Sequence, residues 1–248
     1  MSHPLITSRE IIRASWSLYI HEWNQALRIT SWLMVLPILL FVLMLALRPT
    51  GDQTWVAVLF GLVVLLTFVV EIWVMVRLLR WTLITDRGGK IEKNEMQLAL
   101  SNIPAVVLIG IIQGLAVLGG TILFIFPGIW LGIALMFAQL CALEDGAWGT
   151  KALSASYALV KGRWFSVFWR VLVVGLFSVI VVVLVSNIFF LLMSLIAGGS
   201  KVLMILKTQT LALPLAYSAN NLLQSIWLAV VLPFFVIWEV KLFHGLKQ

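Results

Sequence analysis

The groups in this chain with a capacity for chemistry are a few carboxylates, three histidines, one thiol and scattered hydroxyls, and their spacing decides what each can do. Glu71 is the one ionisable residue placed well inside a long apolar run. A carboxylate among apolar neighbours is costly unless a cation holds it or a proton or substrate uses it. Glu71 is therefore the first candidate for an intramembrane polar site, as a structural ion pair or as a coupling residue. Asn187, in a later apolar run, is the second, suited to hydrogen-bonding a neighbouring helix. Glu239 stands close to Lys241 at the end of its run and reads as a boundary residue. His3, His21 and His244 share no ligand spacing, so no metal site is expected. Cys141 has no histidine or helix start nearby to activate it. Ser15 and Ser156 read as small residues where helices pack. No Gly-rich phosphate loop follows a strand, and no nucleophile, base and orienting group fall together. The expectation is no enzyme and no cofactor.

The elements that must position these residues are set by composition. The chain is 62% hydrophobic and 11% charged, against roughly a quarter charged in an ordinary soluble domain. A mean hydropathy of +1.09 leaves too little polar surface to cover a soluble core. Continuous apolar runs, rather than alternating ones, give an all-α integral membrane class. A single cysteine excludes a disulfide framework. The net charge of +7 fits loops held against anionic lipid headgroups rather than nucleic acid.

Six crossings are expected, at about 31–47, 55–76, 103–126, 128–143, 171–196 and 221–240. Pro104 falls in the first turn of the third, where a missing N–H is tolerated. Polar turns cover Thr50–Thr54 and a basic loop around Gly88-Gly89, and residues 200–219 lie against the outer surface. Two amphipathic helices, about 8–28 and 148–164, are expected in the headgroup plane of the cytoplasmic side. Thr7 and Glu10 fit a capping box at the start of the first. Trp16, Trp23, Tyr157 and Trp164, flanked by Arg13 and Arg163, are their anchoring residues.

Orientation follows from lysine and arginine. The amino-terminal segment through Arg28 holds three, the second–third loop five, the fourth–fifth connection four and the tail two, which is fourteen of the 17. That bias places both termini in the cytoplasm.

Two further patterns concern packing. Ala14-Ser-Trp-Ser-Leu18 with Trp23 matches Ala155-Ser-Tyr-Ala-Leu159 with Trp164 at a constant offset, an internal repeat. Its apolar stripe runs Ile12, Trp16, Tyr19, Trp23 in one copy and Leu153, Tyr157, Val160, Trp164 in the other. Asn94–Val107 reads as a degraded third copy. Gly110-x-x-x-Gly114 and Gly128-x-x-x-Gly132 place small residues one turn apart on successive spans, and Pro127-Gly128 forms the turn between them: a close hairpin. Of the 12 tryptophans, those at 23, 32, 55, 81, 148, 164 and 238 fall near span boundaries, as a belt would.

Pro127-Gly-Ile, the apolar run to Leu143-Glu-Asp-Gly146, and Ala152-Leu-Ser-Ala-Ser-Tyr157 through Lys161-Gly-Arg-Trp164 resemble one group of membrane proteins. That group holds the membrane domain of glycerophosphoryl diester phosphodiesterases and the YciC-like bacterial inner-membrane proteins. The resemblance implies a six-span protein of the bacterial inner (cytoplasmic) membrane. In those phosphodiesterases catalysis belongs to a separate soluble barrel, of which this chain contains nothing, so no phosphodiesterase activity is implied. Two function classes remain: a non-catalytic module that shapes or senses the bilayer or supports a partner, which is a membrane protein or a second copy of the chain, and a small permease for a lipid or hydrophobic solute.

Overall fold

The computed structural model describes residues 7–47, 54–89, 95–196 and 212–247. Every regular element among them is helical: α1 (Ser8–His21), α2 (Trp23–Thr30), α3 (Trp32–Leu47), α4 (Thr54–Asp86), α5 (Glu95–Leu123), α6 (Ile125–Leu135), α7 (Ala138–Asp145), α8 (Thr150–Val160), α9 (Trp164–Ile196) and α10 (Ala212–Lys247). Four stretches are long and apolar enough to cross a membrane: Val58–Asp86, Met96–Leu123, Ile125–Asp145 and Asn221–Lys247. A fifth is added when α2 and α3, broken at Ser31, count as one. The described apolar stretch of α9 is Trp164–Phe177. The expected turn at Thr50–Gln53, Lys90, Lys93 and the surface segment over 200–211 lie outside the described residues.

The helices overrun the apolar segments that mark them. The second crossing is expected to stop at Val76, yet α4 continues to Asp86 because Leu78, Leu79, Trp81 and Leu83 remain buried. The third is expected from 103, but α5 starts at Glu95, so Pro104 sits inside the helix and there is no separate third amphipathic copy. The fifth starts at Trp164 rather than 171. Hydropathy locates a solvent boundary, whereas a helix ends only where capping or side-chain packing stops it.

The expected helix over 8–28 is two helices meeting at Glu22. Its start is a capping box: Glu10 accepts the Thr7 backbone N–H at 2.9 Å and the Thr7 hydroxyl at 2.8 Å. These bonds hold the exposed Glu10 carboxyl below its ordinary pKa. The expected helix over 148–164 is α8, bounded by Gly149 (φ 53) and Gly162 (φ 80). Both lie in the left-handed region that side chains rarely adopt, which accounts for Gly162 in the Lys-Gly-Arg sequence.

The chain divides into two compact units. The first holds residues 1–29, 72–173 and 232–248. Its core joins Ile109 of α5 to Leu135, Ala138 and Ala142 of α6 and α7 and to Ala152 and Leu153 of α8. A second cluster packs Val76 against Ala99 and Val106. The other unit, 30–71 and 174–231, packs Leu40 of α3 on Val63 of α4. In it the Thr30 hydroxyl donates to the Ala229 carbonyl at 2.7 Å. That carbonyl is the one a proline at 233 leaves without its helical donor.

Candidate functional site

Three arrangements in these units carry polar chemistry. The first gathers the carboxyl-terminal ends of α4, α7 and α10. Asp86 ends α4, and Glu144 and Asp145 end α7, where the partial negative charge of a helix terminus disfavours acids. Cations offset it. Lys241 reaches Asp86 at 2.5 Å, Lys247 reaches Glu144 at 3.0 Å and Asp145 at 2.7 Å, and Arg87 pairs with Glu144. His244 stands between the two helices' acids, with Nδ1 2.6 Å from Asp86 and Nε2 3.3 Å from Glu144. Each ring nitrogen faces a carboxylate oxygen, so whichever carries a proton has an acid to donate to. Gly146 (φ 67) caps α7 in the left-handed conformation and turns the chain away. The Leu-Glu-Asp-Gly sequence is therefore a helix end built for this network. It escaped detection because its bonded partners lie 57 to 158 residues apart, in three segments that only the fold brings together.

The second arrangement is the hairpin of α5 and α6. The turn expected at Pro127-Gly128 lies three residues earlier: Phe124 is the extended residue (φ −161) and Pro127 lies in the first turn of α6, where its missing N–H costs nothing. Close approach falls at Gly128, but its partner is not the expected one. A Cβ on Gly128 would stand 2.0 Å from Thr121 Oγ1 and 2.9 Å from its Cα, and one on Gly120 would stand 3.1 Å from the Gly128 nitrogen. Gly110 and Gly132 make ordinary contacts, and Gly114 faces open space. Of the glycines in the small-residue pattern, Gly128 makes the close approach, and α5 meets it at Gly120 and Thr121. Further along, the helix breaks at Met136–Phe137, and Ser156 of α8 closes the break. Its hydroxyl donates to Ala134 O at 2.9 Å and accepts from Phe137 N at 3.2 Å.

The third arrangement lies in the other unit. Glu71 lines a partly open cavity of about 250 Å³ with Thr67, Asn221, Gln224 and Ser225. Glu71 has no hydrogen-bond or ion-pair partner among the described residues. The hydroxyl protons of Thr67 and Ser225 are committed to their own helices, at 2.8 Å to Val63 O and 2.8 Å to Asn221 O. The polar residues beside Glu71 follow helical spacing, four apart for Thr67 and Glu71 and for Asn221 and Ser225. That spacing was the signal available for them. Asn187 is elsewhere: its amide donates to Val183 O at 2.7 Å, on its own helix rather than a neighbour.

Of the anchoring residues, Trp16 is 54% exposed and Tyr157 38%. The expected stripe splits, because Tyr19 and Val160 turn into the protein. Trp23 stacks edge-on against Tyr19, and Trp164 donates to Trp130 O at 3.2 Å. Arg13 is exposed and Arg163 half-buried. Trp32, Trp55 and Trp148 are exposed, as a belt requires. Trp81 and Trp238 are buried instead, and Trp81 donates to Gln25 at 3.3 Å. Comparisons with protein-family models, curated proteins and solved structures return no match to this chain.

Proposed function

We propose that the chain is a lipid-interacting module of the bacterial cytoplasmic membrane, crossing it six times with both termini in the cytoplasm and carrying no catalytic machinery of its own. The observation that carries this reading is the segregation of polar networks from apolar surface. The ionic cluster of Asp86, Glu144, Asp145, Arg87, Lys241, His244 and Lys247 puts three helix ends at one level, on the side that the basic-residue bias assigns to the cytoplasm. The α5–α6 tip, by contrast, exposes Ile122, Leu123, Phe124, Ile125 and Phe126 in succession. Its backbone stays paired, Phe124 N to Gly120 O at 3.0 Å, as seating among acyl chains demands. The absence of catalysis rests on where reactive groups are used: Cys141 is buried in α7, Ser156 closes a helix break, and His244 is held between two acids. The likeness to the phosphodiesterase membrane domain and the YciC-like proteins fits the same reading.

Labelling of single introduced cysteines tests it. Positions 9, 90, 155 and 247 should react from the cytoplasmic side, and 52 and 205 from the other. Reaction of 90 and 155 from opposite sides would sink the six-span arrangement. A small permease for a lipid or hydrophobic solute is the second reading. Glu71, in its cavity without a partner among the described residues, favours it, and flux through the wild-type chain in proteoliposomes decides between the two.

A further inference from the structure

The cavity in the 30–71 and 174–231 unit presents an unusual balance of hydrogen-bonding groups. Glu71 offers acceptors only once ionised. The Thr67 and Ser225 hydroxyls, having spent their protons on Val63 O and Asn221 O, turn lone pairs outward. The side-chain amides of Asn221 and Gln224 have no hydrogen-bond partner among the described residues and can each turn the carbonyl oxygen inward. The site is thus rich in acceptors, with the Asn221 and Gln224 amides as the donors of its polar lining, and it holds a carboxylate that no cation among the described residues neutralises. An uncompensated charge at such a place is expensive. What completes it is a ligand that brings positive charge and several N–H donors.

Size and lining narrow the class. A water's share of the liquid is about 30 Å³, so one bare metal ion would leave most of about 250 Å³ unfilled. The remaining walls are apolar, among them Pro37, Leu40 and Leu228, and Phe68 adds an aromatic face that attracts cations. A small cationic head carried on methylenes matches both halves of the lining.

We infer that the Glu71 cavity binds a primary alkylammonium group, with Glu71 as counter-ion and Thr67, Ser225, Asn221 and Gln224 as acceptors. The inference deepens the lipid-interacting reading and rests on it. Two sources supply this chemistry, an amine-headed phospholipid and a soluble alkylamine.

The test uses the full chain in nanodiscs of phosphatidylglycerol, titrated calorimetrically with n-butylammonium, with phosphatidylethanolamine added to the bilayer in a parallel arm. Saturable binding is expected, weakened more than about tenfold in Glu71→Gln, since a hydrogen bond to a charged group contributes more than a neutral one. Competition by phosphatidylethanolamine identifies a lipid as the source. Butylammonium binding without that competition identifies a soluble amine, and both support the ammonium site. Thr67→Val, similar in shape but without the hydroxyl acceptor, carries the same test should Glu71→Gln fail to insert, with about threefold weakening expected. Three results overturn the proposal: no saturable binding to the wild type, equal binding to folded Glu71→Gln, or equal binding of sodium at the same concentration. Failure here alongside correct cysteine labelling removes the site and leaves the six-span reading standing.

Discussion

In α1 the residues turned into the protein are Ile11, Ser15 and Tyr19; in α8, at the same offset for each pair, they are Ala152, Ser156 and Val160. The exposed aromatic edges correspond as well, Trp16 in one helix and Tyr157 in the other. Both serines are 0% exposed, yet their hydroxyls do different things. Ser156 lies over the break between α6 and α7, where the missing helical bonds leave Ala134 O and Phe137 N in need of partners, and it serves both. Ser15 has no hydrogen-bond partner among the described residues. Its helix packs instead beside Phe234, with Trp16 and Tyr19 each meeting that ring edge-on at 5.9 and 6.2 Å. The matching sequence therefore reports a matching requirement for size. The polar use of the serine depends on what lies opposite, which the matching residues themselves do not encode.

The largest effect expected from this contrast is at Ser156. Ser156→Ala strips partners from two buried backbone groups, each costing roughly 1–3 kcal/mol when left unsatisfied. A loss of about 2–6 kcal/mol follows. The midpoint of thermal unfolding in a fixed detergent, compared across variants, measures it. A change under about 0.5 kcal/mol would show that the break at Met136–Phe137 holds without its clip.

The next effect sharpens the likeness between the two helices rather than the difference. Trp16→Glu and Tyr157→Glu each place a charge on the edge that the proposed orientation puts at the acyl boundary. The cost should be on the order of 1–3 kcal/mol, below that of a charge at a span centre. Trp16 is the more exposed and should be the more sensitive. Yield in the membrane fraction and thermal stability are the readouts. Unchanged values for Tyr157→Glu would mean that α8 does not touch the bilayer.

The contrast also shows what was legible in the sequence. Apolar runs located α3, α4 and α10 because hydropathy over a bilayer's thickness is a local property. The capping box at Thr7 and Glu10 was legible for the same reason. Helix ends were not, since Leu78, Leu79 and Trp81 stay buried beyond the end of the apolar run, which only the folded chain reveals. Glu71 stood out as a lone carboxylate, but its cavity did not: Thr67 and Asn221 sit on helices about 150 positions apart in sequence. The ionic cluster was hidden further, because Glu144 and His244 each look like ordinary boundary residues until folding brings them to 3.3 Å. In each case the part that was missed is a contact between distant segments, and the part that was found is a property of one segment.

The smallest expected effect is the one that isolates the serine itself. Ser15→Ala removes a hydroxyl that has no hydrogen-bond partner among the described residues, so no bond is lost, and the desolvation of a buried polar group is relieved. Stability should stay within about 0.5 kcal/mol of wild type, or rise. Ser15→Val is the control for size. If the position demands a small residue, the added volume should force neighbouring side chains off their rotamers and cost about 1–3 kcal/mol. The pair is read in the same unfolding assay as Ser156→Ala, so that the two helices are compared under one condition. A neutral alanine with a costly valine means that α1 kept its serine for closeness of packing. An alanine as damaging at Ser15 as at Ser156 means that Ser15 does bond to the protein, and the contrast between the two helices is gone.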